Sequence, residues 1–167
     1  MVPTSSSKPR RQSAACFLLR FFDRERATLA RMSASMYIVV EGEDPGYNIF
    51  VNGRLLARHE DAVARLAESL RVRPLIEFFS ADANAMATLI EEGRGDAHLL
   101  SSLPPAQWFD AEDGLRTVTA LVAALEEDSG VLGDEGPLVL AELREFETVL
   151  EKTARRGLRW HLAVSWR

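Results

Sequence analysis

The last ten residues constrain the fold more than any other stretch. Leu158, Trp160, Leu162, Val164 and Trp166 alternate with Arg159, His161, Ala163, Ser165 and Arg167. A period of two places the first set on one side of a β-strand and the second on the other. Burying each of those apolar side chains stabilises the fold by roughly 1.5–3 kcal/mol, so the segment belongs to the core and is no frayed end. Its hydrophilic side is expected to face solvent.

Upstream, residues 36–40 are continuously apolar and rich in strand formers, which predicts a central strand. Pro45-Gly46 reads as a turn, and Tyr47, Ile49 and Val51 alternate as a second strand, completing an N-terminal hairpin. The period then changes. Leu55, His59, Val63, Leu66 and Leu70 share a helical face, and Pro74 imposes a break. A short apolar run at 75–79 leads to a helix with Met86, Leu89 and Ile90 inward, Ser80 or Asp82 as its cap and Gly93 as its stop. Pro104-Pro105 marks a loop, after which Asp110 caps a helix whose Leu115, Val118, Val122 and Leu125 follow heptad spacing. Gly130, Gly133 and Gly136 supply a further loop. Pro137 opens the last helix, striped by Val139, Leu143, Phe146 and Leu150, with Glu142, Glu145 and Glu147 early and Lys152, Arg155 and Arg156 late, as the helix dipole favours. The order predicts an α+β domain: a small, mostly antiparallel sheet, built from the N-terminal hairpin and the C-terminal strand, packed on one face by about four helices.

The chain divides by charge. Residues 1–35 hold seven Lys/Arg and two acids, against thirteen and twenty-three in residues 36–167, so a net charge of −5 conceals a +5 extension on a −10 body. The first part is expected to be a basic, largely disordered extension, with Phe17, Leu18, Phe21 and Phe22 available to a basic amphipathic helix; the second is expected to be a single α+β domain. Translation starting at Met32 or Met36 would leave the extension out, and that is the preferred reading. An acidic body repels nucleic acid and anionic membranes, so neither is expected as a partner. The one cysteine, Cys16, lies in the extension, which leaves the body without disulfides or thiolate metal sites and fits a cytoplasmic location.

The segments Val51-Asn52-Gly53-Arg54-Leu55-Leu56-Ala57, Phe78-Phe79-Ser80-Ala81-Asp82, Trp108-Phe109-Asp110-Ala111-Glu112-Asp113-Gly114-Leu115 and Arg159-Trp160-His161-Leu162-Ala163-Val164 together resemble a family of small uncharacterised bacterial proteins. The resemblance covers most of 36–167. It implies a bacterial cytoplasmic domain and brings no activity with it.

No spacing of reactive residues forms a known catalytic or metal-binding motif, and no metal or cofactor is expected. His59, His98 and His161 each stand alone in their segments. His59 reads as a satisfied, partly buried side chain. His161 shares the hydrophilic strand face with Arg159 and Ser165, and pairing with residues 36–41 would add Tyr37, Val39 and Glu41. Two readings stay open there: an acid/base site of Glu41, His161 and Arg159, as in a small hydrolase, or a wet sheet face that deters aggregation. Glu126, Glu127 and Asp128 crowd a helix end where negative charge opposes the dipole; with Asp134 and Glu135 they form an acidic stretch able to dock a basic protein partner. Trp108 is either an exposed anchor for such a partner or a loop residue pinned to the core. The leading reading is a non-enzymatic binding module, with the enzyme as the alternative; oligomeric state has no signature in the sequence.

Overall fold

The computed structural model describes residues 34–81, 87, 90–93 and 105–166. The extension up to residue 33, Asp82, Met86, Leu89, His98 and Pro104 lie outside them, so most of the helix expected between Ser80 and Gly93 does too.

The C-terminal alternation forms the strand it predicts. β3 (Arg159–Trp166) is the centre of a three-stranded antiparallel sheet, flanked by β1 (Ala34–Val40) and by the two-residue β2 (Phe109–Asp110). β1 begins two residues before the expected boundary and pairs with β3 along its whole length, from Ala34↔Trp166 to Val40↔Trp160. The order β1-β3-β2 thus joins the first and the last of the described elements. On the inner face, Met36, Ile38 and Val40 lie beside Trp160 and Leu162, all buried.

Helices cover that face: α1 (Arg54–Arg58), α2 (Glu60–Ser69), α3 (Ala111–Glu127) and α4 (Gly136–Arg155). The last two form an antiparallel pair whose stripes meet in the core, Val118, Leu121 and Leu125 from α3 with Val139, Leu143, Phe146 and Leu150 from α4. A kinked 3-10 segment, Ser129–Glu135, joins them. Asp110 occupies the position before α3, yet its side chain makes no capping bond; it lies opposite Arg159 in the β2–β3 ladder.

The N-terminal hairpin does not form. Residues 46–59 run instead as a strap antiparallel to α4. The Tyr47 hydroxyl is 2.7 Å from Thr153 Oγ1, Asn52 N donates to Glu145 at 3.2 Å, and Arg58 and His59 reach Glu135 at the start of the helix, at 2.8 and 2.7 Å. Local bonds take the place of a ladder, since Asp44 and Asn48 side chains accept from the amides of Gly46 and Phe50. The strap touches the sheet where Met36 N donates to Gly53 O at 3.0 Å. Glycine is required there, because a β-carbon on Gly53 would stand 2.3 Å from Met36 O.

One further expectation is corrected. The helix expected from Leu55 to Leu70 is broken at His59, whose backbone (φ −99°, ψ 17°) leaves the helical region where its ring is drawn to Glu135. Ser80 N–H donates to Leu162 O at 3.0 Å, extending the edge of β3 beyond β2, and its hydroxyl accepts from Gln107 N at 2.8 Å, while the first turn of the helix it was expected to cap lies outside the described residues.

Candidate functional site

Two regions hold the polar residues singled out by the sequence: the outer face of the sheet, and the turn between α3 and α4.

On the sheet, the antiparallel register brings Glu41 and Arg159 together. Glu41 N donates to Arg159 O at 2.8 Å, and the guanidinium grips the carboxylate with Nε to Oε2 at 2.8 Å and Nη2 to Oε1 at 2.5 Å. This fork-to-fork pair is among the more specific ion-pair geometries, although both groups are substantially exposed. Hydrogen bonds from Arg159 hold the Glu41 carboxyl below its usual range, and Arg159 is raised in turn.

His161 sits one pleat further along, opposite Val39. Its side of the strand is not washed by water: His161 is 2% exposed, and Ala163 is equally buried. Trp108 covers it, with ring centroids 4.8 Å apart and planes at 57°. The cause is local. The bond from Gln107 N to Ser80 Oγ fixes the chain just before β2, and the next residue is laid over the strand. Trp108 is therefore pinned to the body. The imidazole Nδ1 lies 3.3 Å from Leu162 O. The acid/base trio is thus divided, with Glu41 gripped by Arg159 and His161 beneath an indole.

A depression between Met36, Leu56, Glu60, Val63, Leu75 and Ile76 shares no residue with this face and has about 10 Å³ of space, enough for one water. Among the described residues no group of three or more His, Cys, Asp or Glu side chains is placed to hold a metal ion. No helix among them is long and apolar enough to cross a membrane.

The turn between α3 and α4 gathers the acidic residues. Glu126, at the unfavourable end of the α3 dipole, is offset by Arg144 of α4 at 2.6 Å. Glu135 is bonded by Arg58 and His59, and the hydrogen bond from His59 is the chief cause of its lowered pKa. Asp128 accepts from Gly130 N at 3.0 Å, and its backbone begins the 3-10 segment. Gly133 adopts φ +74°, and a β-carbon on Gly136 would lie 1.8 Å from Ser129 O, so the turn closes tightly on itself. Glu127, Asp128 and Asp134 are exposed and enter no ion pair among the described residues. Beside them Val131 and Leu138 are each 56% exposed.

Sequence reasoning missed Glu142. This carboxylate is buried in α4 and accepts the amides of Leu55 and Leu56 at 3.0 and 2.9 Å, serving as the N-terminal cap that α1 lacks in its own sequence. A signal was present. Glu142 lies three residues after Val139 and four before Phe146, on the apolar stripe, where an acid demands a buried partner. The exposure of Val131 and Leu138 had no such signal.

No protein-family model, curated protein or solved structure matches the chain.

Proposed function

We propose that the protein is a non-enzymatic module that captures a basic segment of a partner protein on the turn between α3 and α4. The observation that carries this reading is the coincidence, on one turn, of Glu127, Asp128 and Asp134, exposed and outside any ion pair among the described residues, with the exposed aliphatic side chains of Val131 and Leu138. Negative charge on a −10 body steers a cationic partner toward the molecule, and desolvated aliphatic contacts add short-range affinity. The turn is preorganised. Its ends are fastened through Glu126–Arg144 and Glu135–Arg58/His59, so little order is lost on docking.

The test is affinity capture on the immobilised protein and on its Glu127→Lys/Asp134→Lys variant. Neither side chain is bonded among the described residues, so the variant should keep its circular dichroism spectrum. Basic proteins retained by the parent, released by salt and lost from the variant by about tenfold or more support the reading. Equal retention by both removes it.

A further inference from the structure

We propose that the strap has a second position, in which residues 48–52 close on β1 as a fourth strand of the sheet and cover Phe50. The first rung of that ladder exists. Met36 and Gly53 form an antiparallel bridge, with Met36 N donating to Gly53 O at 3.0 Å. Continuing the same register sets Ile38 opposite Val51, Val39 opposite Phe50 and Val40 opposite Ile49. Gly42 and Tyr47 come next, which leaves Glu43-Asp44-Pro45-Gly46 as a hairpin loop of ordinary length.

The backbone of β1 is set for this pairing. Glu41 N bonds to Arg159 O, so by alternation Met36, Ile38 and Val40 direct their amides and carbonyls away from β3 and toward the strap. Beyond Met36 these groups have no partner among the described residues, although Ile38 and Val40 are only 2% and 5% exposed. Unpaired backbone groups in so dry a place are unfavourable, and Val51 and Ile49 carry their complements. No side chain has to change sides. Val51 and Ile49 already pack with Ile38 and Val40 against the core, while Asn48, Phe50 and Asn52 are exposed. Phe50, at 77%, is the most exposed large hydrophobic side chain among the described residues. On the outer face Trp108 covers His161, and His161 lies opposite Val39. Closure adds Phe50 to that row, beside Val39.

Asn48 is the catch. Its Oδ1 accepts from Phe50 N at 2.9 Å, a local turn that bends the chain where a strand must be extended. The bond from Asn52 N to Glu145, at 3.2 Å, draws the same segment toward α4. Gly42 is the hinge: its φ is +106°, and a β-carbon there would meet nothing within 4 Å. Closing exchanges the turn at Asn48 for about four ladder bonds, two at each of the pairs Ile38–Val51 and Val40–Ile49. The movement is independent of what binds at the turn between α3 and α4.

Amide hydrogen exchange, read by NMR on the full chain, tests the catch. In Asn48→Val, which keeps a strand former and removes the turn, the amides of Ile38, Val40, Ile49 and Val51 should exchange about tenfold more slowly than in the parent, relative to those of Val39 and His161 in the β1–β3 ladder. Protection that fails to rise overturns the proposal, whether the parent strap stays open or is always closed. Cross-linking tests the register in a chain that keeps Asn48. With Cys16→Ser to remove the native thiol, Val39→Cys/Phe50→Cys places two thiols directly opposite at a non-hydrogen-bonded pair, the closer kind. This pair should oxidise at least about tenfold faster in native buffer than the offset pair Tyr37→Cys/Phe50→Cys, as read by peptide mass spectrometry. Equal rates, or no cross-link from either pair, overturn the proposal.

Discussion

Gly114 lies against the indole of Trp160, where a β-carbon on the helix would stand 2.2 Å from Cζ2 of the ring. The ring is fully buried and 5.2 Å from that of Phe78, so it has no free direction in which to yield. Alanine at 114 gains about 1 kcal/mol in helix propensity, whereas forcing an extra carbon into a packed core costs roughly 1–3 kcal/mol or more. Gly114→Ala should therefore lower the urea midpoint. In a Trp160→Phe background the same change should cost markedly less, because Trp160 Nε1 has no partner among the described residues and its removal breaks no hydrogen bond. Additive effects in the double-mutant cycle would refute the packing argument.

Glu142 should give the acid dependence of stability an unusual component. Burial raises its carboxyl above the ordinary value of 4.5, against the opposing amides of Leu56 and Leu55. Between those two values the folded state binds more protons than the unfolded, so the contribution of Glu142 falls as pH rises through its raised pKa. Glu41 and Glu135 have the opposite sign: both are held below 4.5, and their contribution is present above it and lost as pH falls through the lowered values. The stability of the parent relative to Glu142→Gln should accordingly grow as pH is lowered from neutral toward 4.5 and level off below. Urea titrations across that range that stay parallel would contradict this. Glu142→Ala, which orphans two amides, should cost about 2–3 kcal/mol.

Trp108 should control chemical access to His161. Because the indole covers a side chain that is 2% exposed, diethyl pyrocarbonate should modify His161 slowly in the parent and at least tenfold faster in Trp108→Ala, as read by peptide mass spectrometry. Equal rates would mean that the indole is not what shields it.

The parts of the fold legible in the sequence are those set by periodicity over many residues. The alternation of β3 and the stripes of α3 and α4 each repeat one burial preference several times, and the structure follows them. The strap fails this test. Tyr47, Ile49 and Val51 alternate like a strand, but a helix provides the same half-buried environment when Thr153, Glu145 and Glu142 supply bonding groups from about ninety to a hundred residues away. Distance in sequence also hid the lid on His161. Period two assigns that residue to the hydrophilic side, and nothing local announces that Trp108 will close over it. The pairing of Glu41 with Arg159 was half legible, since the shared face followed from the alternation while the partner chosen depended on register.

The place of β3 also sets the order of assembly. It follows every other described element in the chain, yet it lies in the middle of the sheet and joins β1 across about 120 intervening residues. Contacts this remote form late and slowly. During synthesis the ribosome releases β1 and the four helices α1 to α4 before Trp160 and Leu162 leave the exit tunnel. The nascent polypeptide must therefore carry an unsealed apolar surface until β3 emerges, which is the interval in which a chaperone has most to bind.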